Sequence, residues 1–117
     1  MDNIIEQTGC IKIDDDVIAQ ICGITAIECY GIVGMATRSM KDGIVRMLKR
    51  DNITKGVFVI KKQYVIDIEF HIIVEYGTKI SAVTDNLIST VRYKLKDMLG
   101  IEVGVIKIFV EGVRVSM

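Results

Sequence analysis

Between Tyr64 and Tyr76 the chain alternates with a period of two, the signature of a strand whose two faces meet different surroundings. Tyr64, Ile66, Ile68, Phe70, Ile72, Val74 and Tyr76 fall on one face, and Val65, Asp67, Glu69, His71, Ile73 and Glu75 on the other. The wholly apolar face belongs in the core. Gly56-Val57-Phe58-Val59-Ile60 reads as a second strand. Lys61-Lys62-Gln63 lacks the Asn or Gly of a tight hairpin, but the short connection still predicts antiparallel pairing. A last strand, Val103 to Val115, puts Ile106, Ile108 and Val110 inward and Val105, Lys107, Phe109 and Glu111 outward.

The period changes to that of a helix after Gly77. Thr78 is the expected N-cap, and Ile80, Val83, Leu87, Ile88, Val91, Leu95, Met98 and Leu99 recur at helical spacing up to Gly100, where a left-handed cap is expected. Near the start, Gly9 to Ile13 alternates weakly and runs into Asp14-Asp15-Asp16, whose carboxylates suit the unpaired amides of a helix start. That helix carries Val17, Ile18, Ile21, Cys22, Ile24, Thr25 and Cys29. Gly31 and Gly34, three apart, are expected to end it and re-aim the chain. A short helix over Asp42 to Arg50 turns Ile44, Val45, Met47 and Leu48 inward and Arg46, Lys49 and Arg50 outward. The resulting order is β-α-α-β-β-α-β. It predicts an α+β two-layer sandwich of split-βαβ type, with a small mixed sheet, two main helices on one face, and the short helix in addition.

A length of 117 residues leaves no room for a second core, so one domain spanning 1–117 is expected. Proline is absent and nothing marks a linker. No apolar stretch approaches the roughly 20 residues of a membrane-spanning helix, and residues 1–7 do not read as a signal peptide. The odd set Cys10, Cys22 and Cys29 suits free thiols in a reducing compartment, so a cytoplasmic protein is expected. Net charge is zero, which argues against a dedicated nucleic-acid binder, whose affinity comes from neutralising phosphates. The charge is unevenly spread: residues 38–62 are basic and include Arg38, Lys41, Arg46, Lys49, Arg50 and Lys55, while the first helix is acidic. A basic patch for a partner and a solvated face beside that acidic helix are both open readings.

No residue set points to catalysis. Cys10, Cys22, Cys29 and His71 are the inventory of a zinc site, but no close pair such as C-x₂-C is present, so no metal is expected. Asp67, Glu69, His71 and Glu75 stand side by side on one strand face instead of converging on a pocket. No phosphate loop, nucleophile elbow or dinucleotide fingerprint occurs, so neither an enzyme nor a cofactor is expected. Gly31-Ile32-Val33-Gly34 matches the bare G-x-x-G of RNA-binding KH domains. Ile and Val bring no charge to such a loop, but with the basic segment after it the match leaves a small RNA-binding module as the alternative function. The outward set Val65, Asp67, Glu69, His71, Ile73, Val105, Lys107 and Phe109 is a partly apolar, charge-flanked sheet face. Association with a protein partner or another copy is expected there, unless the short helix folds over it.

Several segments together resemble one family. Ile11-Lys12-Ile13 with Val17-Ile18-Ala19, Gly31 to Met35, Asn52 to Val57, Ile66 to Ile68, Ile73 to Gly77, Gly100 to Val103 and Ile106 to Val113 resemble the alkaline shock protein family of Gram-positive envelope stress response proteins. The match covers roughly residues 9–113. The resemblance implies a non-enzymatic cytosolic protein of envelope homeostasis that can self-assemble. In some members a separate anchor protein holds it at the membrane. Short members occur beside a fatty-acid kinase subunit, which implies a link to phospholipid supply. The chain lacks the long charged extensions of larger members and is similar to the short, housekeeping type. The family has no established catalytic residues to carry over.

Overall fold

The computed structural model describes residues 13–36, 48 and 50–115, with the backbone alone at 50 and 51. Helix α1 is Asp15–Glu28, strand β1 Ile32–Met35, a 3-10 segment Arg50–Gly56, β2 Val57–Lys61, β3 Ile66–Glu75, helix α2 Ile80–Leu99 and β4 Val103–Arg114. The expected strand at Gly9 to Ile13 and the short helix at Asp42 to Arg50 lie outside the described residues, apart from Ile13, Leu48 and the Arg50 backbone.

The architecture is α+β with a mixed sheet, and β3 is its axis. Along one edge β3 pairs in parallel with β4 from Ile66–Val103 to Glu75–Arg114. The other edge is shared by two antiparallel neighbours, β2 opposite Ile66 to Phe70 and β1 opposite Ile72 to Val74. A strand paired on both edges buries its backbone, and the apolar face of β3 is fully enclosed. Ile66, Ile68, Phe70, Ile72 and Val74 are all buried. Beneath them lie Ile18, Ala19, Cys22 and Ala26 of α1 and the Val83, Leu87, Val91, Leu95 stripe of α2, each residue one turn from the next. The parallel β3–β4 pair requires a long crossover, and α2 provides it.

Local chemistry accounts for most boundaries. The Asp14 carboxylate accepts the Asp16 amide at 2.9 Å and caps α1. Gly100 closes α2 at φ 68°, donating to the Lys96 carbonyl, as expected of a left-handed cap. The β2–β3 hairpin is antiparallel, closed by the Lys62 amide on the Val65 carbonyl at 2.9 Å. At the start of α2 the expectation is corrected. Lys79 is the N-cap, and the Thr78 hydroxyl instead turns back to the Glu75 carbonyl at 2.7 Å, closing the turn that leaves β3.

The Gly31–Gly34 segment is also corrected. Gly31 does take φ 85°, and its missing Cβ would stand 2.5 Å from a Val83 methyl. From Ile32, however, the chain is a strand, with Gly34 opposite Ile73. The register slips between Ile32 and Gly34, which makes Val33 the extra residue of a bulge. The bulge lets Ile32 and Met35 both face the core although they are three positions apart, while Val33 stays 40% exposed. That odd spacing hid the strand from a period-two reading.

Candidate interaction surface

The face of the sheet away from the helices is built by alternate residues of β2, β3 and β4. Cross-strand register places Phe58 opposite Glu69 and Ile60 opposite Asp67. It also places Lys107 beside Glu69 and Phe109 beside His71. Val105 at 52%, Phe109 at 42% and Ile60 at 42% exposed are its large open apolar residues, and Lys107 is exposed beside them. Val65, Asp67 and Glu69 are partly exposed.

Two residues expected on this surface are not presented by it. His71 is 4% and Ile73 1% exposed. Both sit on the central strand with neighbours on each edge, so alternation predicts their face but not their cover. The His71 ring stacks on Phe109, centroids 4.8 Å apart at 10°, and meets Phe58 edge-on at 5.5 Å. Its Nδ1–H donates to Glu111 Oε2 at 2.6 Å, while Nε2 has no hydrogen-bond partner and stands 3.6 Å from Glu69 Oε1.

The pairing with Glu111 corrects the view of an acidic ladder standing side by side, because a carboxylate from a different strand converges on the imidazole. Glu111 reaches it through a slip in register. Ile72 pairs with Val110 and Ile73 with Gly112, so Glu111 is a bulged residue free to lean over His71. Nothing in a single strand's alternation signals such a contact. A cavity of about 50 Å³ on this face is lined by Ile60, Asp67, Ile68, Glu69, Val105 and Lys107, with His71 not in its wall.

A second slip in the β3–β4 register, between Ile66–Val103 and Ile68–Ile106, marks the start of β4. There Asp67 Oδ1 accepts the Val105 amide at 2.9 Å and Oδ2 takes Lys62 at 2.7 Å, and these contacts, that with Lys62 first, draw the Asp67 carboxyl below its ordinary range. Arg92 of α2 donates to the Val103 and Gly104 carbonyls. Val105 is thus a fixed part of the surface.

Of the basic segment, Arg38, Lys41, Arg46 and Lys49 lie outside the described residues, as does the Arg50 side chain; Lys55 is exposed at the end of the 3-10 segment. Lys61 pairs with Asp15 at 3.0 Å and donates to the Ile13 carbonyl, so part of the basic charge is spent against the acidic start of α1. The G-x-x-G match forms no loop, which removes the phosphate clamp that an RNA-binding reading needs.

Among the described residues no group of three or more His, Cys, Asp or Glu side chains is placed to hold a metal ion. Cys22 and Cys29 are buried free thiols. Burial pushes the Cys22 thiol from its ordinary 9.0 up to about 12. Below pH 9 the thiol is neutral in both states; above it the unfolded chain ionises first, so stability is lost as pH rises toward 12. At about pH 10 the expected loss is ~1.4 kcal/mol, seen in urea melts as a steeper alkaline decline than that of Cys22→Ala.

No helix among the described residues is long and apolar enough to cross a membrane, and no solved structure matches the chain. The uncharacterized protein YloU of Bacillus subtilis is 43% identical over 109 residues, covering 92% of this chain and 91% of that protein. Spy1614 of Streptococcus pyogenes, also uncharacterized, is 35% identical over 108 residues, covering 92% and 89%. Residues 3–115 match the alkaline shock protein 23 family, described as having a cell envelope-related function. With that match running through every helix and strand among the described residues, the chain belongs to the alkaline shock protein family.

Proposed function

We propose that this protein is a non-enzymatic scaffold of envelope homeostasis that works by presenting its outer sheet face to protein partners. The observation that carries this reading is the combination of open apolar residues and a rigid frame: Ile60, Val105 and Phe109 stand exposed among Asp67, Glu69 and Lys107. The His71–Phe109 stack and the Asp67–Val105 hydrogen bond hold Phe109 and Val105 in place. An apolar patch ringed by charge on a preorganised sheet loses little side-chain freedom on binding. The family's cell envelope-related function supports partners from envelope or lipid metabolism, a membrane anchor protein among them. The protein itself stays in the cytoplasm and reaches the membrane through such a partner.

Ile60→Glu tests this directly, since Ile60 is exposed and lies across the sheet from β4. Affinity capture followed by mass spectrometry is expected to recover envelope, anchor or lipid-metabolism proteins with the natural chain and to lose them with Ile60→Glu at an unchanged melting temperature. Capture of none of these classes, or equal capture by both chains, overturns the reading.

A further inference from the structure

Strand register sets Glu69 in the middle of the outer face. Phe58 of β2 lies opposite it and Lys107 of β4 beside it, with Asp67 and His71 two residues away along β3. The carboxylates around it already hold donors. Asp67 takes the Val105 amide and Lys62, and Glu111 takes the His71 Nδ1–H. Glu69 accepts no hydrogen bond from any described residue, and its polar neighbour is His71 Nε2 at 3.6 Å. With Nδ1–H given to Glu111, Nε2 of a neutral ring is itself an acceptor, so two acceptors face each other without a donor.

The Glu69 side chain is only 18% exposed, and the imidazole is enclosed. A carboxylate held that far from water without a donor costs free energy that the isolated chain does not offset. Lys107 is the neighbouring cation, yet it makes no ion pair with Glu69. We infer that the partner of this face presents an arginine, whose guanidinium seats on the Glu69 carboxylate over the cavity that Asp67, Glu69 and Val105 help to line. The inference rests on the partner reading above and names what that partner must carry.

Charge selects a cation, because the missing group is a donor and its acceptor is ionised. Shape selects arginine over lysine. A guanidinium meets a carboxylate with two parallel N–H bonds and lies flat against an aromatic ring, and Phe58 stands directly opposite Glu69. It is also more weakly hydrated than an ammonium, which suits a seat framed by Ile60 and Val105. Asp67 adds negative charge at the cavity wall. Lys107, in the same wall, opposes the incoming cation, so its removal should strengthen the contact.

The full chain, titrated with N-acetyl-arginine amide and followed by amide NMR, is expected to show saturable shifts at Glu69, Val105 and Phe109. The uncharged isostere N-acetyl-citrulline amide should give none. Glu69→Gln weakens binding of the arginine probe at least about fivefold, and Lys107→Met tightens it about twofold. The glutamine amide can donate to Nε2, so Glu69→Gln is expected to keep or raise the melting temperature. In affinity capture the same variant loses the proteins that the natural chain recovers. Equal binding of the two probes, or arginine binding that survives Glu69→Gln, overturns the inference. So does a melting temperature lowered by several degrees in that variant, since a charged imidazole would then already hold Glu69. Self-association that Glu69→Gln abolishes makes a second copy the occupant and likewise overturns it. Capture of no partner overturns both readings, whereas capture that survives Glu69→Gln and is lost with Ile60→Glu overturns this one alone.

Discussion

Phe70→Ala is expected to destabilise the protein by about 3–5 kcal/mol. Phe70 is fully buried at the middle of β3, opposite Val57 on one side and Ile108 on the other, and it is among the largest enclosed side chains of the core. Truncation loses the ring's transfer free energy and leaves a cavity that neighbours bonded into two ladders cannot collapse to fill. For a domain of this size the melting temperature should fall by about 15 °C or more, measured by circular dichroism. A loss below about 1 kcal/mol would mean that the two-layer core is not packed as described.

Glu111→Ala should cost about 2–3 kcal/mol, for a different reason. The buried imidazole loses the acceptor of its 2.6 Å bond, and Nε2 is already without a hydrogen-bond partner, so both ring nitrogens are then desolvated and unsatisfied. The asymmetry of buried hydrogen bonds gives the control. Removing both partners together, in His71→Phe with Glu111→Ala, should recover most of the stability, because an apolar ring of similar shape fits between Phe58 and Phe109. Chemical denaturation of the two variants separates the cases. If the double variant is as unstable as Glu111→Ala alone, the cost arises from the bulge in β4 and not from the histidine.

Both predictions concern one strand, and they mark what could be read from it. The core face of β3 is legible residue by residue, because a strand enclosed by helices must place every second side chain in oil and the chain does so without exception from Ile66 to Val74. The same holds for the α2 stripe and its Gly100 stop. Strand β1 was not legible, since Val33 bulges out and breaks the alternation that a strand reading relies on. The position of Thr78 shows a smaller failure of the same kind. A residue suited to cap a helix also suits the turn before it, and the Glu75 carbonyl claimed its hydroxyl.

The outer face divides in the same way. Alternation along the sequence determined which residues share that face, including Val105, Lys107 and Phe109, because side-chain direction in a strand follows from backbone geometry alone. Only the tertiary structure decided which of them are open. The burial of His71 and Ile73 and the carboxylate that Glu111 brings to the imidazole depend on strand order and on two register slips. Those arise from contacts between segments some 40 residues apart, where the chain carries no local signal, and they are settled by how the whole sheet closes over its core.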